Sequence, residues 1–151
     1  MHWQPKHLVP LLALGTLALG LRAAVEPARA RAAAPRPAAS LAQAVAQGKA
    51  IFDRNEFGGV RTCSSCHLNG GTTLGRLPNG AKIPSLIGAA AEFPRFKASQ
   101  HGVVTLEQQI AHCIRGGVQG TPPAPDSPQM TDLVTYLTSL SKGAVMGKQF
   151  K

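Results

Sequence analysis

Three stretches of the chain carry apolar side chains at helical spacing, and each follows a residue suited to capping a helix. Ser40 opens the first, where Leu41, Val45, Ile51 and Phe52 predict a helix from 41 to about 52. Gly48, in its middle, leaves room for a second helix to cross closely, with Phe52 packed onto it. Thr105-Leu106-Glu107-Gln108 reads as a capping box, so a second helix should run to Arg115 and stop at Gly116-Gly117. On it Leu106, Ile110, Cys113 and Ile114 share one face, which points Cys113 inward and leaves His112 off the stripe. Ser127-Pro128 supplies the N-cap and first turn of a third helix, whose apolar face is Met130, Leu133, Val134, Leu137 and Leu140, with Tyr136 at its edge. This helix is expected to cross the first, Gly48 and Phe52 meeting Leu133 and Tyr136 or Leu137. Gly58-Gly59 marks a turn, and a Gly, Pro and Asn loop runs to about Lys82. No strand pattern of any length appears, so the expected fold class is all-α.

The chain has 151 residues, and its ends change the picture. His2, Lys6 and His7 precede an apolar stretch, Leu8 to Leu21, and Ala28-Arg29-Ala30 offers a small-residue cleavage site. Residues 1–30 therefore read as a secretory signal peptide. The stretch contains Pro10 and falls short of the ~20 residues that span a bilayer, so membrane contact is expected only if the segment stays uncleaved. Residues 31–39, rich in Ala, Arg and Pro, cannot build a core and read as a disordered leader. Residues 40–151 are left for one small domain.

Within that domain, Cys63-Ser64-Ser65-Cys66-His67 is a Cys-x-x-Cys-His motif. On an exported chain it is the pattern of covalent haem c attachment. Two intervening residues let Cys63 and Cys66 bond the two vinyl groups of one macrocycle, and His67 then lies beneath its centre as an axial iron ligand. The alternative, zinc held by Cys63, Cys66, Cys113 and one His, is awkward because adjacent Cys66 and His67 would have to chelate one ion. One covalent haem makes one-electron chemistry the expected trade. The formal net charge of +9 carries no dense basic run or aromatic-interleaved patch, which argues against nucleic acid and for an acidic periplasmic redox partner.

The segment Gly48 to Phe52 ahead of the motif resembles the first helix of a class I cytochrome c, and Ile83-Pro84-Ser85-Leu86 resembles the loop after it. That resemblance implies that the Pro84 carbonyl accepts a hydrogen bond from the second ring nitrogen of His67. An ordinary turn role for Pro84 is the alternative. Most class I cytochromes also place a Met ligand after a Gly-rich turn, where this chain has Thr121, a poor iron ligand. The residues leave the sixth position open. Cys113 comes first, as the inward-facing cysteine without a partner; Met130, Met146, His101 and His112 are the alternatives, or no protein ligand at all.

A narrower resemblance rests on Cys66-His67-Leu68-Asn69, Phe93-Pro94-Arg95-Phe96, Thr105-Leu106-Glu107 with Ile110 and Cys113, and Asp126-Ser127 with Met130 and Tyr136-Leu137. These resemble the haem domain of periplasmic thiosulfate dehydrogenases and of the Sox cytochrome A subunit. The resemblance implies that Cys113 is the axial ligand opposite His67, which would give a low-potential haem. It also exposes departures. The family's Arg four residues before the Cys is Gln109 here, and its Arg and Ser after the Cys are Gly116 and Gly117, leaving Arg115 one step off and Arg95 as a possible neighbour for a small sulfur anion. The expected function is electron transfer as a periplasmic monohaem cytochrome connected with sulfur-compound oxidation. The alternatives are the haem subunit of a thiosulfate-oxidising enzyme, which would need an electron-accepting partner, and a gas- or redox-sensing haem protein.

Overall fold

The computed structural model describes residues 36–77 and 79–147. The expected signal peptide and residues 31–35 of the leader lie outside the described residues.

Helix α1 spans Leu41–Asp53, and the Ser40 hydroxyl accepts the Gln43 N–H at 3.2 Å, as the N-cap signal requires. Helix α3 spans Pro128–Ser139, capped by Ser127 Oγ accepting the Met130 N–H at 3.2 Å. The two cross where the sequence places the crossing. A Cβ at Gly48 would collide with the Asp132 carbonyl and come 2.7 Å from Tyr136 Cβ, so only glycine permits this approach. One turn on, the Phe52 and Tyr136 rings meet edge to face at 5.5 Å. Phe52, Leu133 and Leu137 are buried there with Ile110 and Ile114 of the next helical segment. Each such side chain contributes about 1.5–3 kcal/mol on burial.

Helix α2 spans Leu106–Cys113 with both halves of its capping box formed: Gln108 N–H donates to Thr105 Oγ1 at 3.3 Å, and Thr105 N–H to Gln108 Oε1 at 2.9 Å. It does not stop at Gly116-Gly117. The chain widens into a π-helical turn, Ile114–Val118, and ends at Gln119 in the left-handed region at φ 61°. The glycines supply no stop because the turn closes one residue later, where the Gly120 N–H returns to the Ile114 carbonyl at 3.1 Å.

The all-α expectation needs amending. Strands β1 (Gly75–Arg76) and β2 (Lys82–Ile83) form one antiparallel pair. Strands β3 (Arg95–Lys97) and β4 (Gly102–Val104) form another, with Phe96 opposite Val103. Runs of two or three residues are too short for alternation to register, so the ladders left no pattern to read. No described helix is long and apolar enough to cross a membrane.

Candidate haem-binding site

Thr62 caps a 3-10 turn, Cys63–Ser65, and shares reciprocal hydrogen bonds of 3.1 Å with Ser65, which sets the two cysteines on a tight bend. The His67 N–H returns to the Cys63 carbonyl at 3.0 Å, carrying the imidazole back over the same turn. Three attachments hold this bend. The Tyr136 hydroxyl donates to the Gly70 carbonyl at 2.6 Å, joining the loop after the motif to α3. Gly75 lets β1 lie directly on the Cys66 carbonyl, where any Cβ would collide. Ser85 Oγ donates to the Gly71 and Thr72 carbonyls at 3.2 and 3.1 Å, bringing Pro84 beside the site.

A second set of bonds ties the approach to the motif to the turn after Cys113. Val60 N–H donates to the Val118 carbonyl at 3.0 Å, and Arg61 Nη1 to the Gly117 carbonyl at 3.2 Å. His67, Cys63 and Cys113 consequently line the same two cavities. One is an inner pocket of about 90 Å³ walled by Phe52, Phe93, Leu133 and Leu137. The other is a cleft of about 410 Å³ that adds Cys66, Leu77, Ile83 and the bare backbone of Gly116 and Gly117.

The electrostatics suit an apolar macrocycle with a metal at its centre. Burial lowers the proton affinity of His67, and the Pro84 carbonyl opposes this more weakly. The ring is thereby held as neutral imidazole, the form that ligates a metal. Its Nδ1 is buried and meets no partner at full hydrogen-bond geometry, and the Pro84 carbonyl is the neighbour that still raises its proton affinity. All three cysteines are free thiols. Burial, and next the nearby Cys113, push the Cys63 thiol up to about 11, which keeps it protonated at neutral pH. Apolar walls, two free thiols on one bend and a buried neutral imidazole fit haem c. Among the described residues no three His, Cys, Asp or Glu side chains converge as a metal-ion group, which weighs against zinc.

The candidates for the sixth position fall in different places. Cys113 lines both cavities, yet it is exposed rather than packed inward, because the wall it belongs to faces the open cleft. Met130 is 1% exposed inside the core and lines neither cavity. Met146 is 74% exposed near the end of the described chain. His101 is exposed in the turn between β3 and β4. His112 is exposed and reaches the cleft wall. Thr121 is exposed and its N–H is bound to the Phe57 carbonyl at 2.9 Å. Arg95 is turned to other uses, paired with Glu92 and lying 5.1 Å over the Phe93 ring. Arg115 lines a groove that contains Glu107 and Asp126, not the cleft. In the sequence Gln109 stands out only as a departure from a family pattern, whereas in the fold it lines the inner pocket and its Nε2 donates to Cys113 Sγ at 3.1 Å. Its spacing, four residues before Cys113 on one helix, was the available signal.

Comparison with known proteins agrees with this fold. The family described as SoxA/TsdA, cytochrome c domain, matches residues 47–146. A thiosulfate dehydrogenase of Allochromatium vinosum is 29% identical over 91% of this chain and 54% of its own length. One of Stutzerimonas stutzeri is 32% identical over 75% of this chain and 36% of its own. The chain thus spans about half of one curated relative and about a third of the other. The solved thiosulfate dehydrogenase TsdBA of Marichromatium purpuratum superposes with a TM-score of 0.59 at 22% identity, covering 80% of this chain and 28% of that one, a likeness of fold.

Proposed function

Since the chain belongs to the family of SoxA/TsdA cytochrome c domains, we propose that it is a periplasmic monohaem c-type cytochrome that passes single electrons in sulfur-compound oxidation. Residues 1–30 direct export, 31–39 form a leader and 40–151 hold the haem. Cys63 and Cys66 would carry its two thioether bonds, and His67 and Cys113 would ligate the iron. Haem, when bound, supplies a one-electron couple whose potential follows its axial ligands. The chain's residues set the rest. Phe52, Leu133 and Leu137 exclude water from one face, and Pro84 and Ser85 hold the segment against which His67 is oriented. An anionic sulfur donor from Cys113 favours the ferric state and a low potential. The observation that carries this reading is that His67 and Cys113, from separate elements, line the same two cavities.

Low-temperature EPR of the purified ferric protein tests it. A low-spin signal with the small g-spread of thiolate ligation is the expected result, lost in Cys113→Ser. A wide-spread signal of the His/Met or bis-His kind would sink the Cys113 assignment and leave an ordinary electron carrier.

A second reading, a haem subunit acting on thiosulfate, is favoured by one feature of the cleft. Arg61, Arg76 and Lys82 each adjoin a residue lining it in the chain, no lining residue is acidic, and none of the three is ion-paired among the described residues. Such a rim attracts anions. Thiosulfate-dependent reduction of the haem, with an electron acceptor supplied, separates this reading from simple electron carriage.

A further inference from the structure

Gln109 is, apart from His67 and the thiols, the only polar side chain lining the inner pocket among the described residues. It sits one helical turn before Cys113 and its Nε2 donates to Cys113 Sγ at 3.1 Å. Its other end is occupied twice: Oε1 accepts from Lys97 Nζ at 2.7 Å and from Gln100 Nε2 at 3.2 Å. Lys97 decides which way the amide faces. An ammonium has three donors and no acceptor, so turning the amide over would set its NH₂ group against a cation and its oxygen against the sulfur. Lys97 ends strand β3 and Gln100 ends the 3-10 turn after it, so the β3–β4 hairpin supplies the clamp. Gln109 and Lys97 are both half-buried, where the charge-assisted hydrogen bond between them is stronger than in water.

We propose that Gln109, oriented by Lys97, is a positioning residue for Cys113: its N–H aims the sulfur at the haem cleft and draws off part of its charge. This deepens the function proposed above and rests on Cys113 being the axial ligand. An N–H bond to a ligating thiolate weakens its donation to the metal, so the bond tunes the haem through its ligand. The potential then sits higher than an unbonded thiolate would set it. The same bond holds Cys113 in one rotamer on a wall that is otherwise open.

The test compares the holoprotein with Gln109→Leu and Lys97→Met by ferric EPR and by potentiometric titration of the haem. Gln109→Leu is expected to keep a thiolate-type signal with altered g-values and to lower the potential. Lys97→Met, which leaves the amide free to turn, is expected to shift the potential the same way by less. A thiolate-ligated wild type whose potential and g-values are unchanged in both variants would overturn the Gln109 assignment alone. A wild type without a thiolate signal would overturn it together with the Cys113 ligation beneath it. Should Gln109→Leu not yield folded holoprotein, Lys97→Met decides, since an unchanged potential there removes the clamp from the account.

Discussion

The two sides of the haem cleft are built by different physics. On the side of α1 and α3, Gly48 brings two backbones into contact and Phe52, Leu133 and Tyr136 fill the space around the crossing. On the side of α2, the π turn and the β3–β4 hairpin, hydrogen bonds link half-buried Lys97 and Gln109 to the exposed Cys113 sulfur, and the bare glycines 116 and 117 face open space. Close packing has one solution and resists change. A hydrogen-bonded clamp can be retuned one side chain at a time. The first side holds the cofactor site in shape, and the second adjusts the ligand that gives the site its character.

The same substitution should therefore have opposite signs on the two sides. Gly48→Ala is expected to cost about 2–3 kcal/mol in chemical denaturation, because the added methyl meets backbone that cannot yield. A cost near zero would show that the crossing is looser than the contact implies. Tyr136→Phe keeps the ring against Phe52 but leaves the Gly70 carbonyl without its donor, a loss of about 1 kcal/mol. Because Gly70 follows the motif, haem loading should fall in the same variant, read from the ratio of Soret to protein absorbance.

On the other side, Gly116→Ala should stabilise the chain without haem attached by roughly 0.5–1 kcal/mol, since a helical residue gains from a methyl that meets nothing. Destabilisation there would mean that the π turn needs glycine for its backbone.

The smallest effect concerns Asp132, buried at the crossing with its carboxyl held above the usual range by burial. A raised native value contributes stability that is full below the unfolded value of 3.8 and is lost as pH rises through the native value. Asp132→Asn does not titrate. Its advantage over the natural chain should be absent well below pH 3.8 and grow as the pH rises to 7. A pH-independent difference in melting temperature would remove burial of the charge as the cause.

Much of the packed side was legible in advance. Ser40, Thr105 and Ser127-Pro128 act on their nearest backbone neighbours, so local chemistry announced all three helices. Gly48 announced the crossing because only a missing side chain allows it. The haem motif was equally legible, as its chemistry lies within five consecutive residues. The other side was not. Strands of two or three residues carry no period, and Gly116-Gly117 looked like a stop while the turn closed at Gln119. Cys113 sat on an apolar stripe that implied burial, yet Ile110 and Ile114 took the core and left it at the cleft. Arg95 looked available for an anion until Glu92 and Phe93 were found to occupy it.

By itself, then, the sequence determined the cofactor motif, the helices and the point where two of them cross, because each depends on residues close in the chain or on a single absent side chain. The tertiary structure alone decided what surrounds Cys113. Lys97 and Gln109 are twelve residues apart and meet only because the hairpin folds back on α2. Which polar groups come together across such a fold depends on the register of short strands and on which side chains the core has already claimed, and neither is written in the spacing of residues along the chain.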